Sequence, residues 1–383
     1  MENHTKPVPL LDLTRQYKTL QAELDEAVLR VSRSQQFIMG PDIAAFEGEC
    51  AAYLGSKYAL GCSSGTDALI MALMALDIGP GDEVITSAYS FFATAGSIAR
   101  IGAKPVFVDI EPEGFNIDVS KIEDVITKKT KAIMPVHLFG QSAEMNQVVE
   151  LAKAYNLKII EDAAQAIGCK YQGQNIGSIG EIGAFSFFPS KNLGAFGDAG
   201  LVSCNDEALY QRLKSVRVHG SLVKYYHEEV GGNFRIDTLQ AAVLRVKLKH
   251  LDAWSEKRAT NANNYERLFS DFQLIAKDGV VTPGKVVLPK VLPGRRHIFN
   301  QFVIRVDNRD QLMNRLKDQK IGCEVYYPLS LHQQKCFVEL GHKTGDFPQS
   351  ERAANESLAI PIFPELEMDE LERVVEAIGN SIG

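Results

Sequence analysis

Short apolar runs alternate with amphipathic stretches along most of the chain. After an apolar PLLDL, Leu20, Leu24, Val28 and Val31 fall at helical spacing and predict a helix within residues 8–35. A FIMGPD turn leads to a second helix around Ile43–Tyr53. The strand YALGC then meets a small-residue turn, Ser63-Ser64-Gly65-Thr66, and a helix from near Asp67. After a turn at Gly79–Asp82, strands at Glu83–Thr86 and Pro105–Asp109 flank a helix around Ala93–Ile101. From Lys121 the order is helix, strand (Ala132–Val136), a helix with Met145, Val148, Val149 and Ala152 on one face, and strand (Leu157–Ile160). Repeated units of this kind predict an α/β fold whose mostly parallel sheet is covered by helices on both faces.

A further strand (Ala184–Phe188) precedes a helix at Asp206–Leu213. The polar turn Gly231-Gly232-Asn233-Phe234-Arg235 opens a helix with Leu239, Ala242, Val243, Val246 and Leu251 inward. Past the helix containing Trp254, Lys277–Arg296 is irregular and bears Gly and Pro. A strand in FNQFVIRV, a helix in RDQLMNRLKDQ, a strand and loop in CEVYYPLSLH, and a final helix with Leu371, Val374, Val375 and Ile378 inward follow. The expected division is a large domain over 1–250 and a smaller α+β domain over 251–383.

A chain of 383 residues accommodates two such domains, and its 45% apolar content is that of a soluble globular protein. The net charge of −7 argues against nucleic acid as a partner. MENHTKPVPLLD has neither the basic segment nor the apolar core of a signal peptide, and no stretch has the length of a membrane span, so no membrane partner and a cytoplasmic location are expected. Six scattered cysteines and eight histidines without an H-E-x-x-H pattern predict no disulfide framework and no metal.

Glu161-Asp162 follow one buried strand and Pro189-Ser190-Lys191 another, and the crevice at such strand ends is where open α/β sheets bind ligands. An enzyme using pyridoxal phosphate needs a lysine to form a Schiff base and a carboxylate to keep the pyridine nitrogen protonated; Lys191 and Asp162 supply both. Phe187, Phe188, Leu193 and Phe196 flank the lysine, and an apolar wall lowers a lysine pKa. The same local pattern also fits a surface lysine in a glycine-rich loop. Gly65 and Thr66 at a helix start offer unpaired amides to a phosphate, although a plain N-cap gives the same pattern. Neither a nucleotide-triphosphate loop nor a dinucleotide fingerprint competes. Tyr89, Phe91 and Phe92 are candidates to hold a ring or to fill core. His137, after a strand end, reads equally as a catalytic group or as a satisfied histidine.

The runs EDAAQAIG and FSFFPSKNLGAFGDAG resemble those of the DegT/DnrJ/EryC1/StrS sugar aminotransferases, pyridoxal 5'-phosphate enzymes of aspartate-aminotransferase fold type I. The likeness extends from LLDLTRQY to LAIPIFPEL. It implies a three-layer fold with Lys191 and Asp162 catalytic and Gly65, Thr66 and Ser186 on the cofactor phosphate. Phe91 is implied to stack on the pyridine ring and Gln165 to lie beside its 3-oxygen. It further implies that Asn233 reaches the cofactor phosphate of a neighbouring subunit, making a homodimer with shared sites. Arg15, Gln16 and Tyr17 near the start, and Tyr326, Tyr327 and His332 in the segment matching H-Y-P-x-P-L-H, are the implied substrate contacts, with Tyr326 standing where the family usually has histidine. KYYH at Lys224–His227, with GGNFR and VKL, resembles members that act on 3-keto nucleotide sugars. The implied reaction moves an amino group from glutamate to a UDP- or dTDP-linked 3-keto sugar, for lipid A, O-antigen or a similar glycan. A 4-keto sugar and a non-catalytic regulator that binds the cofactor are the alternatives. The family's 3-dehydratases carry histidine where Lys191 stands, and a serine-hydroxymethyltransferase-like or desulfurase-like enzyme would turn over an amino acid alone.

Overall fold

The alternating units build a seven-stranded sheet in a computed structural model that describes residues 6–382. Its strands are β1 (Tyr58–Cys62), β2 (Glu83–Ser87), β3 (Lys104–Val108), β4 (Thr130–Met134), β5 (Lys158–Asp162), β8 (Ile182–Ser186) and β9 (Gly200–Cys204), in the order β1-β9-β8-β5-β4-β2-β3. The two-residue strands β6 (Lys170–Tyr171) and β7 (Gln174–Asn175) form a separate ribbon completed by β11 (Arg295–Arg296). Only β9 runs against the others, pairing antiparallel with both β1 and β8. The carboxyl ends of β1, β8, β5, β4 and β2 therefore share one edge.

Helices cover both faces: α2 (Pro41–Leu54), α5 (Met145–Tyr155) and α7 (Thr238–Leu248) on one, α3 (Gly65–Ala75), α4 (Ala93–Arg100) and α6 (Glu207–Arg217) on the other. With both faces buried the strands need no alternation of apolar and polar residues, which is why they read as continuous runs. Helix α3 is buried from Ala68 to Leu73, an all-round apolar helix wedged between the sheet, α4 and α6. The long N-terminal helix α1 (Leu13–Ser34) lies along α7 through Leu20, Leu24, Ala27 and Val31.

Helix α8 (Leu251–Asp271) leads to a second apolar core around Tyr265, Phe269, Phe302 and Ile304. There β12 (Phe302–Val306) pairs with β10 (Val286–Val287) and β13 (Ser357–Ile360), beside α9 (Arg309–Asp318) and α11 (Met368–Ile382), while α10 (Pro348–Glu356) precedes β13.

Three expectations need correction. No α-helix starts at Lys121: Val119–Lys121 and Glu123–Val125 are single 3-10 turns, and Thr127 N–H then donates to Thr130 Oγ1 at 2.9 Å, a local bond that competes with helix. CEVYYPLSLH forms no strand. Glu324 makes one bridge to Ala359, after which the Tyr89 hydroxyl donates to Tyr326 O at 2.5 Å and accepts from Tyr327 N–H at 2.8 Å, so a side chain takes the backbone groups that a ladder needs. Strand β9, entirely buried, was not anticipated in the glycine-rich stretch that ends at Cys204. Residues 1–5 of the leader reading lie outside the described residues.

Candidate active site

Asp162 is the last residue of β5 rather than a residue beyond its end. It lies two positions after Ile160 and so faces α3 and α4. Its Oδ2 accepts from Thr94 Oγ1 at 2.7 Å, its Oδ1 from Ala164 N–H at 3.2 Å, and Thr94 is held in turn by Ser90 Oγ at 2.8 Å. Burial pushes the Asp162 pKa up, while these donors and the charge of Lys191 pull it back.

The neighbouring Glu161 points to the opposite face, fully buried. It accepts from the amides of Gly177, Ile179 and Gly180 at 2.7, 2.8 and 2.7 Å. His137 Nδ1 accepts from Ala143 N–H at 3.1 Å, which leaves the proton on Nε2 to be donated to Glu161 at 3.2 Å. With both ring nitrogens occupied behind the sheet, His137 is the satisfied histidine of the two readings.

Past Ser186 the chain turns sharply: Lys191 N–H donates to Phe188 O at 2.9 Å and Ala195 N–H to Phe187 O at 2.8 Å. Gly194 closes the loop, since a Cβ there would stand 2.2 Å from Pro189 O. Two residues of α7, seven apart and so on one face, hold the loop from outside. Gln240 Oε1 accepts from Phe196 N–H at 2.8 Å, and Lys247 Nζ donates to Gly194 O at 2.7 Å, 5.1 Å from the centre of the Phe196 ring. Burial lowers the Lys191 pKa to about 8, against the pull of the Asp162 carboxylate, and the two groups share one electrostatic site. In the cofactor-free protein, labelling of Lys191 by an amine-selective acylating reagent is expected to be half-maximal near pH 8. Below that pH the ammonium is unreactive; above it the free amine reacts, more than two units before an ordinary lysine.

At the next strand end, Ser64 Oγ accepts the Asp67 N–H at 3.1 Å, and nothing among the described residues accepts from the amides of Gly65 and Thr66. Gly65 lies so close to Ser186 that a Cβ would stand 2.6 Å from the serine Cβ. Two free amides at a helix N-terminus, with a hydroxyl alongside, suit a phosphate group. Gln165 is reached through turns past the end of β5. Its Oε1 accepts from Phe139 N–H at 2.7 Å and its Nε2 donates to Tyr327 Oη at 3.0 Å, leaving a second N–H. The Phe91 ring, 56% exposed, keeps a face open 5.9 Å from the Tyr327 ring.

The other sequence-derived candidates are placed differently. Tyr327, not Tyr326, meets Gln165 and Phe91; Tyr326 lines a small cavity with Ser190. Tyr17 meets the lysine loop at Phe196, ring centres 6.3 Å apart, and its hydroxyl bonds Asp25. Arg15 is committed to Glu370. His332 is buried between Glu351, at 3.1 Å, and the Phe347 ring. Asn233 is exposed, its backbone bridged to Val218, and no contact joins it to Lys191. Thr94 was not singled out; its signal was a polar residue in the first turn of a helix that follows Phe91-Phe92.

An amine of lowered basicity, a fixed carboxylate, an amide-lined helix end and an open aromatic face at one sheet edge match the aldehyde, ring nitrogen, phosphate and ring of pyridoxal phosphate. Fold and site together define a fold type I pyridoxal phosphate enzyme. The chain belongs to the DegT/DnrJ/EryC1/StrS aminotransferase family, whose description matches residues 18–379. It is 49% identical over 373 residues to a "pleiotropic regulatory protein" of Geobacillus stearothermophilus, covering 97% of this chain and 98% of that one. It is 40% identical over 375 residues to the UDP-N-acetyl-3-dehydro-alpha-D-glucosamine 3-aminotransferase of Acidithiobacillus ferrooxidans, covering 98% of each. Its fold superposes on S. venezuelae DesV with a TM-score of 0.92 at 39% identity over 98% of both chains.

Proposed function

We propose that the protein transfers the amino group of glutamate to a nucleotide-linked 3-keto sugar, in a ping-pong cycle in which Lys191 and Asp162 are the catalytic pair. The observation that carries the reading is the lysine whose pKa falls to about 8 opposite a buried, doubly hydrogen-bonded carboxylate. Bound pyridoxal phosphate supplies the electron sink that lets a C–H bond beside nitrogen break. Lys191 Nζ, with a sizeable neutral fraction near pH 8, takes the proton leaving the donor's α-carbon and gives it up again on the return path. The Asp162 carboxylate would supply the negative charge for the ring nitrogen, and the bond from Thr94 fixes the carboxylate's orientation. Gly65, Thr66 and Ser186 would hold the phosphate, Phe91 would cover one ring face, and Gln165 would hold the ring's 3-oxygen. The 3-keto assignment is supported by the A. ferrooxidans relative.

A homodimer with shared sites belongs to the same reading. The exposed Asn233 is free to reach a second copy, and Leu222, Val223, Tyr225, Tyr226 and Val230 leave an apolar strip uncovered beside it. An apolar core built almost entirely from residues beyond 250 supports a boundary between two domains near that position. Unpaired cysteines support a cytoplasmic location, and no described helix is long and apolar enough to cross a membrane.

The test loads the holoprotein with amino groups from glutamate, removes the donor, and follows loss of pyridoxamine absorbance on adding UDP- and dTDP-linked 3-keto and 4-keto sugars. Decay with a 3-keto sugar is expected, and decay with 4-keto sugars alone overturns the assignment. The name of the Geobacillus relative, a regulatory protein, favours a second reading, a regulator that binds the cofactor without turnover. Decay with no sugar would select it.

A further inference from the structure

Arg258 on α8 is only 3% exposed. Its Nη1 donates to two backbone carbonyls, Phe299 O at 3.1 Å and Ile362 O at 2.8 Å, while its Nε is buried without an acceptor. Among the described residues it forms no ion pair within 4 Å, and Glu365 acts on it only at longer range. Burial lowers its pKa to about 10, so it remains a cation at neutral pH. A buried cation with an idle N–H and no carboxylate beside it is an unfavourable arrangement unless a ligand completes it.

Arg258 lines a cavity of about 100 Å³ together with Leu11, Ser190, Asn300, Gln301 and Tyr326. Ser190 is the residue before Lys191, and Tyr326 precedes the Tyr327 that holds Gln165, so the cavity adjoins the site through two of its own segments. The volume decides what can enter. Pockets for whole drug-sized ligands run to roughly 300 Å³ and above, so a nucleotide sugar is excluded while a carboxylate with its α-carbon fits. Asn300 Oδ1, a buried acceptor lacking a donor, offers a place for the amine hydrogens of the same ligand.

We propose that this cavity is the subsite for the α-carboxylate of the amino donor, with Arg258 as its counter-ion and the Ser190 hydroxyl as a second donor. The proposal rests on the amino-transfer reading, but its test does not need turnover. Calorimetric titration of the holoprotein with glutarate, the donor's carbon frame without its amine, is expected to show binding that glutamate displaces. Arg258→Met is expected to weaken it on the order of tenfold to a hundredfold, the loss of a charged hydrogen bond. The same variant is expected to raise KM for glutamate and leave KM for the keto sugar within about twofold. Because Arg258 also ties two carbonyls, a second variant, Leu11→Phe, fills the cavity while leaving those bonds in place, and is expected to lose glutarate as well. Undetectable glutarate binding by the wild type, equal binding by wild type and Leu11→Phe, or equal KM increases for both substrates in Arg258→Met overturns the subsite. A wild type that binds glutarate in an Arg258-dependent way yet transfers no amine keeps the subsite and refutes the function.

Discussion

Lys191→Ala is expected to reduce amino-sugar formation by on the order of a thousandfold or more, because it removes both the attachment point of the cofactor and the base that moves the proton. The loss should appear in each half-reaction separately, since the same nitrogen serves both. It should not come from unfolding: the loop around the lysine is held by Gly194, Gln240 and Lys247, none of which contacts the Lys191 amine. Removing an amine whose charge is disfavoured by burial leaves the melting temperature at least equal to that of the wild type. Borohydride reduction of the wild-type holoprotein, followed by peptide mapping, is expected to place the cofactor on residue 191. A label elsewhere, or unimpaired turnover by the alanine variant, removes the basis of the mechanism.

Asp162→Asn is expected to lower turnover by on the order of a hundredfold or more, since an amide cannot supply the charge that a protonated ring nitrogen needs in a buried site. It has a second consequence that does not involve the cofactor. The Asp162 charge is the one influence raising the Lys191 pKa against burial, so in the asparagine variant the lysine should titrate below pH 8. The labelling profile of the cofactor-free variant measures this directly, and an unshifted profile would show that the two groups do not share a site. The substitution also leaves only one acceptor oxygen for the two donors, Thr94 and Ala164, at an expected stability loss of about 1–3 kcal/mol.

Much of this arrangement was legible in the chain because strands buried on both faces, such as EVITS and KIIED, stand out as apolar runs between turn residues. The lysine and the acid were legible for the same reason, each lying at the end of such a run. Strand β9 was hidden because GLVSC follows a glycine-rich loop and owes its pairing to β1, some 140 positions earlier in the chain. Tyr326 and Tyr327 could not be told apart from sequence, since what turns the second toward Gln165 is a hydroxyl from Tyr89, more than 200 positions away. Lys247 did leave a trace, a cation on the inward face of α7, but its acceptor, Gly194 O, follows from the tertiary fold alone. Asn233 and His332 came only from family likeness, and neither touches the lysine within this chain.

The two adjacent acids of β5 have a practical bearing on engineering the protein. Glu161 never meets a reactant, yet it anchors the 177–180 turn and His137, so the strand tip carrying its neighbour cannot drift without dragging that whole assembly along. Substitutions there should loosen catalytic alignment from the rear, and a library restricted to residues lining the cleft would overlook them.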